Sequence, residues 1–369
     1  MATRFRFELA QERDEEPLRD VMRKTQMQGS ITLAFERELN YFWGENLGND
    51  RTQVVVVRDS ATGNVVGCGS RSVRRAYVDE QPMDIGYLGG LRVLPEIRGG
   101  TLLARGYRFL RSLHNADTVP FYITAILSEN APAERVLTTA RAGLPVYAPL
   151  GTYITGLIPL VRFRSKQSPG IDRMNSGSFT TSDVIGALNA YNRRWQFAPH
   201  YTQSDLEGCN KLRKFSLDDL YISSKDGEIL GTIGVWDQHA FKQTVVRSYS
   251  KSFTAIRPLY NIYATLRSFP HLPPAGSFVR NLYGSFISVK DDDPRVFRSL
   301  IDAVRKDWSG KGYAYLAVGF HENHPLTSTL IESSARLLKS ILYLVYWPSD
   351  EQQIQLPQQK IPHVEIATL

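Results

Sequence analysis

The sequence predicts a mixed α/β protein made of two tandem copies of one unit, each a mostly antiparallel sheet flanked by helices. Three observations carry this reading. Strand-type alternation and helix-type spacing interleave along the whole chain instead of segregating into blocks. Three short segments of the first half recur in the second half in the same order. Between the halves, residues 164–182 are rich in Ser, Gly, Pro, Asn and basic residues, the composition of a linker. A length of 369 residues also exceeds one ordinary core. The expected divisions are residues 1–163, a linker and helix over 164–198, a second unit over 199–350, and a tail over 351–369.

Taken in order, Arg4 to Leu9 alternates as a first strand. Pro17, with Leu18, Val21 and Met22 at helical spacing, predicts a short helix. Gln53 to Arg58 is a valine-rich strand, Asp59 to Asn64 a turn containing Gly63, and Val65 to Val73 its hairpin partner. Ile85 to Val93 is a Gly-containing strand that runs through Pro95 into a helix. On that helix Leu102, Gly106, Phe109 and Leu113 share one face, the expected buried one. Phe121 to Leu127 reads as a strand, Ala131 to Arg141 as a helix, and Val146 to Leu160 as two strands around Gly151. After the linker, a helix is expected from Asp183 to Arg194.

The second half then repeats the scheme. Asn64 to Gly69 is echoed by Glu228 to Gly234, and Tyr87 to Val93 by Tyr283 to Val289. Each copy continues into a helix, a strand and a Glu-Asn pair, Glu129-Asn130 and Glu322-Asn323. These matches in one order point to a duplication.

The segment Val93-Leu94-Pro95-Glu96-Ile97-Arg98-Gly99-Gly100 resembles the strand-loop-helix signature of the GNAT N-acetyltransferases. Ser128-Glu129-Asn130, a helix, and Ala142-Gly143-Leu144 are similar to that family's second motif. The resemblance implies two tandem GNAT-like domains with splayed sheets, the C-terminal copy degenerate. It also implies direct transfer of an acetyl group from acetyl-coenzyme A to a primary amine of an unidentified acceptor. Unpaired N–H groups at a helix N-terminus, at the positive end of the helix dipole, suit a pyrophosphate. The implied cofactor contacts are Leu91, Arg92 and Val93 along the strand, Arg98, Gly99, Gly100, Thr101, Leu102 and Leu103 in the loop, and Asn130 opposite. The family's Gly and Gly/Ala positions are here Thr101 and Leu103, with the glycines displaced to 99 and 100. In the second copy the loop reads Lys290-Asp291-Asp292-Asp293, whose carboxylates repel a pyrophosphate.

For catalysis the resemblance implies a proton acceptor, an oxyanion site and an acid for the departing thiolate. Alternation puts Ile85, Tyr87 and Gly89 on the face that the family uses for its base, and of these only Tyr87 exchanges a proton. Glu129 is a second candidate base. The family's acidic Tyr is missing from Val136 to Thr139, which leaves Tyr147, or Tyr153, as the acid. Glu36 lies in a segment that borders the acceptor pocket in the family.

The alternatives are a non-catalytic acyl-coenzyme-A-binding or regulatory protein and, less favoured, a basic nucleic-acid-associated one. A formal net charge of +7 favours anionic partners, yet no run of five Lys/Arg marks a nucleic-acid face. The expected partner is a small-molecule or peptide amine. No membrane contact is expected, because no apolar stretch approaches the roughly 20 residues of a span. No metal is expected: His321-Glu322-Asn323-His324 lacks a third ligand at metal spacing. Cys68 and Cys209 form no CxxC pair, so the expected location is cytoplasmic.

Overall fold

The computed structural model describes residues 4–99, 101–139, 143–161, 170–207, 210–351 and 360–369. The first half contains β1 (Phe5–Leu9), α1 (Glu15–Lys24), β2 (Ile31–Glu36), α2 (Tyr41–Glu45), β3 (Arg51–Asp59), β4 (Val65–Val78) and β5 (Gln81–Val93). It continues with α3 (Leu102–Ala116), β6 (Tyr122–Leu127), α4 (Ala131–Leu137) and β7 (Val146–Pro159). α1 forms where Leu18, Val21 and Met22 repeat at helical spacing, and it buries them against Val54, Val56, Val65 and Cys68. β4 and β5 make a long hairpin across Asp79 and Glu80, both at positive φ. That two-residue turn contains no glycine, so the usual sequence signal for it is missing.

The second half contains β8 (Ile171–Arg173), α5 (Thr181–Asn192), α6 (Gln203–Leu206), β9 (Leu220–Lys225), β10 (Glu228–Trp236), β11 (Gln243–Tyr249) and α7 (Lys251–Arg267). β12 (Phe278–Val279), β13 (Asn281–Val289), α8 (Pro294–Trp308), β14 (Tyr315–His321), α9 (Thr327–Ser333) and β15 (Arg336–Tyr346) complete it.

Among the described residues, twelve strands form one sheet in the order β1-β3-β4-β5-β6-β15-β7-β14-β13-β10-β9-β8. Read from either edge to the middle, the order is the same series of counterparts, with β5 matching β13 and β6 matching β14. The two halves exchange their last strands: β15 pairs with β6, and β7 pairs with β14. The exchanged strands pair with each other from Arg336↔Leu157 to Tyr346↔Val146. A separate small sheet, β12-β11-β2, draws on both halves.

Two sequence expectations are corrected here. Val146 to Pro159 is one strand and not two: Gly151, at φ +119°, sits at a register shift and the pairing continues past it. A Cβ at Gly151 would lie 2.2 Å from His321 Nε2, so the backbone bulges without ending the strand. The buried face of α3 is Leu103, Tyr107, Leu110 and His114, with Leu102 at its edge, not the Phe109 and Leu113 face. The polar tips of this face are satisfied internally: Tyr107 bonds the Tyr147 hydroxyl, and His114 Nδ1 meets the Tyr122 hydroxyl at 2.8 Å. Residues 360–369, the end of the expected tail, pack into the core. Val364 and Ala367 are buried, Tyr153 Oη donates to Val364 O at 2.7 Å, and Gln238 Nε2 donates to Ala367 O at 2.8 Å.

Candidate functional site

β5 and β6 run parallel but pair only at Gly86↔Tyr122 and Tyr87↔Ile123. Gly86 permits that approach, since a Cβ there would fall 2.0 Å from the Tyr122 ring. Beyond this point the strands diverge, and Thr124 Oγ1 donates to Leu88 O at 2.7 Å across the vertex. The β4–β5 register slips between Cys68 and Ser70, and Gly90 takes φ +63°, which bends β5 away from β6. Among the described residues, the edge of Leu91, Arg92 and Val93 facing β6 is left without a strand partner.

The open end of β5 leads to α3. Thr101 caps that helix without a side-chain hydrogen bond, and its first turn holds no acidic residue, so the N–H groups there face outward unclaimed by side chains. Arg98 is exposed and bonds Val93 O at 3.3 Å, while Gly99 is at φ +116° with open space where a Cβ would be. Leu102 is buried among Phe5, Phe7 and Val93, and Leu103 packs into the core cluster under the sheet. Neither leucine obstructs the loop. Gly100 lies outside the described residues. Across the gap, Glu129 is exposed in the turn after β6 and Asn130 caps α4, accepting from Ala133 N at 3.4 Å.

At the vertex lies a small cavity of about 50 Å³, lined by Tyr87, Gly89 and Gly90 of β5 together with Arg37, Glu45, Ser70, Lys242 and the Ala367–Leu369 segment. Glu45 Oε2 accepts from Ser70 Oγ at 2.8 Å, and Oε1 accepts from Arg37 Nε at 3.2 Å. Lys242 Nζ donates to Leu369 O at 2.8 Å, and burial pushes its pKa down to about 7. The Tyr87 ring lies under the Arg74 guanidinium at 4.5 Å, and burial raises its phenol above the usual range. Arg74 is itself buried, donating to Asn49 Oδ1 at 3.0 Å and to Thr368 O at 3.1 Å. Beneath the bulge, Cys68 Sγ contacts Gly90 O at 3.6 Å, and burial pushes the thiol up to about 11.

Of the residues singled out from the sequence, Tyr87 reaches this cavity. Tyr147 does not line it; its hydroxyl is held by Tyr107 beneath α3. Tyr153 is fully buried in the core. Glu36 is on β2, where it pairs with Arg247. Glu45 and Lys242 escaped sequence reasoning, because α2 is five residues long and Lys242 sits in an irregular stretch before β11. The order Tyr41-Phe42-Trp43-Gly44-Glu45 after a capping Asn40 was the available signal.

The counterpart in the second half diverges in the same way, pairing only from Asn281↔Tyr315 to Tyr283↔Ala317. Its gap is filled by the chain itself. Trp195 lies 4.6 Å from His324, which stacks on Phe320 at 4.4 Å and neighbours His363 at 5.5 Å. Burial pushes His324 down to about 2 and His363 to about 4, so both rings are neutral. The N-terminus of α8 is capped by its own Asp293, which accepts from Arg295 N at 2.8 Å. Among the described residues, no group of three or more His, Cys, Asp or Glu could hold a metal.

No family model matches the chain, and no curated protein does. Among solved structures it is similar to Saccharomyces cerevisiae N-myristoyltransferase with bound myristoyl-CoA, at 10% identity and a TM-score of 0.62, covering 99% of this chain and 85% of that one. A structure of the same yeast enzyme with myristoyl-CoA and inhibitors gives 11% identity and a TM-score of 0.61, with coverages of 93% and 80%. The GCN5-related glucosamine N-acetyltransferase region of a fungal multi-domain GH3 β-N-acetylglucosaminidase gives 11% identity and a TM-score of 0.59, covering 93% of this chain and 38% of that one. At such identities the likeness is one of fold. The diverging β5–β6 pair and the bulge at Gly90, together with these likenesses, give the chain a GNAT-type fold, and its sheet is built from two matching series of strands.

Proposed function

We propose that the chain is an acyltransferase carrying an acyl group from acyl-coenzyme A to a primary amine. The observation that supports this best is that Gly89 and Gly90 belong both to the bulged edge of the open β5–β6 gap and to the wall of the polar cavity at its vertex. A donor lying in the gap would present its thioester at the cavity. The β6-facing edge of Leu91 to Val93, which has no strand partner among the described residues, suits the amide groups of a pantetheine arm, and the uncapped α3 N-terminus with Arg98 suits a pyrophosphate. The acyl group we assign is acetyl, as the GNAT motif implies. Because the yeast structure holds myristoyl-CoA, the test includes both chain lengths.

In the reaction the amine nitrogen attacks the thioester carbonyl, the carbon–sulfur bond breaks, and coenzyme A leaves as the thiol. Glu45 is the carboxylate that lines the cavity beside the bulge, so we assign it the binding of the substrate ammonium and the removal of its proton. Tyr87 was the expected base from sequence. Its raised pKa keeps it protonated at neutral pH, so we assign it instead the donation of a proton to the leaving thiolate. The second half, with its gap filled and its helix capped by Asp293, serves as the opposing wall without a second donor site.

The test is release of free thiol from acetyl-CoA and myristoyl-CoA over a panel of small amines and peptides with free N-termini. Amine-dependent release supports the reading. Binding of the donor without release on any amine favours the non-catalytic alternative.

A further inference from the structure

We propose that α7 is an interfacial helix that docks the protein onto an anionic lipid surface. The helix is turned inside out relative to a helix packed on a soluble core. Its inward face is Phe253, Arg257, Tyr260, Asn261 and Ala264, of which only Ala264 is fully buried. Asn261 spends its side chain on Leu272, donating to its O at 3.2 Å and accepting from its N at 2.9 Å. Outward point Ile256, Leu259, Ile262, Tyr263 and Leu266, with Leu259 69% and Leu266 79% exposed. At 100° per residue these five occupy a stripe roughly 120° wide.

Charge decides what covers the stripe. Lys251 and Arg267 fall on its two borders, where long cationic side chains can reach headgroups while the apolar residues sink in. Among the described residues, no ion pair engages Lys251, Arg257 or Arg267. Residues 238–290 contain seven Lys or Arg and no Asp or Glu, while the rest of the chain is balanced at 37 of each sign. The chain's net charge of +7 is therefore concentrated in the segment that carries the apolar stripe. A neutral protein partner would not need this asymmetry, whereas an anionic bilayer rewards it. No helix among the described residues is long and apolar enough to cross a membrane, so α7 would lie on the surface. The expectation of no membrane contact rested on the missing span, which an interfacial helix does not need.

The placement relates to the cavity. β11 leads from Lys242 in the cavity wall to Ser250, the N-cap of α7, a rise of about 23 Å over seven residues. The inference does not rest on acyl transfer: a chain inactive on every amine would still dock.

The test is flotation of the full chain with vesicles of pure phosphatidylcholine and of an equal mixture with phosphatidylglycerol. The chain should float with the mixed vesicles, weakly with the neutral ones, and less as salt is raised. Leu259→Glu with Leu266→Glu should abolish flotation while leaving thermal unfolding unchanged, because both side chains are exposed. Lys251→Ala and Arg267→Ala should each weaken partitioning roughly fivefold. Absence of flotation, equal flotation of the Leu259→Glu/Leu266→Glu variant, or equal binding to neutral vesicles would overturn the proposal. So would a dimer, seen by light scattering without vesicles, that the same double substitution disperses, since a second copy would then be the occupant.

Discussion

Ser70 Oγ donates to Glu45 Oε2 at 2.8 Å, and this bond ties α2 to β4 opposite the bulge of β5, near the point where the two diverging strands part. It fixes the carboxylate beside the point at which a thioester would end. Glu45→Gln is expected to lower kcat by about 10²–10⁴-fold while leaving coenzyme A affinity within twofold or so. Ser70→Ala, which removes only the orienting donor, should cost roughly tenfold or less. Thiol release under saturating donor measures both.

Gly90 gives a steric test of the same junction. It holds φ +63°, and an added Cβ would lie 2.8 Å from Glu45 Oε2 and 3.2 Å from Ser70 Oγ. Gly90→Ala should lose about 1–2 kcal/mol from backbone strain and displace the carboxylate, reducing activity beyond what the stability loss explains. Gly63→Ala is the control: its φ of +75° is equally unfavourable, but nothing lies within 4 Å. It should cost comparable stability and no activity.

The two loop–helix junctions make opposite predictions. Gly99→Asp puts a carboxylate before the uncapped α3 and should weaken coenzyme A binding at least tenfold, with Arg98→Ala giving a smaller loss. In the second half, Asp293→Ala removes the cap of α8, costs about 1 kcal/mol, and should not create a second site, because Trp195, His324 and His363 still fill that gap. Equilibrium binding and thermal unfolding distinguish the cases.

The buried titratable groups predict how stability depends on pH. Burial raises Glu365 from 4.5 to about 7, so between those values the folded chain holds a proton that the unfolded chain releases. Its contribution is present below about pH 4.5 and is lost as pH rises toward 7. Lys242, lowered from 10.5 to about 7, works in the other direction above neutrality: the unfolded chain binds more protons there, and stability rises with pH up to about 10.5. Glu365→Gln should remove a decline of about 3 kcal/mol between pH 4.5 and 7, read as the difference from the parent chain by chemical denaturation. Lys242→Met should flatten the rise above pH 7.

Much of this fold was legible because its strands and helices carry their own periodicity. The valines of β3, the Leu18-Val21-Met22 spacing of α1 and the echo of β5 in β13 each encode an element locally. The strand-to-helix junction at Arg98-Gly99 and the helix cap at Asn130 were legible for the same reason. What stayed hidden depends on contacts distant in sequence. The insertion of β15 between β6 and β7 leaves no mark on either strand's pattern. Gly151 punctuates like a turn, yet its neighbours keep pairing because Leu342 and Tyr343 absorb the bulge. Glu45 and Lys242 meet in one cavity although about half the chain separates them, and Ala367, Thr368 and Leu369 close it. His114 and Tyr107 left no apolar signal in the sequence, because their polar tips find partners only in the folded state.

Isothermal titration of the full chain with acetyl-coenzyme A tests the central claim most directly. One site per chain, lost in Gly99→Asp and kept in Asp293→Ala, is the predicted result. Two sites, or none, or a single site indifferent to Gly99→Asp, would contradict the placement of the donor between β5 and β6.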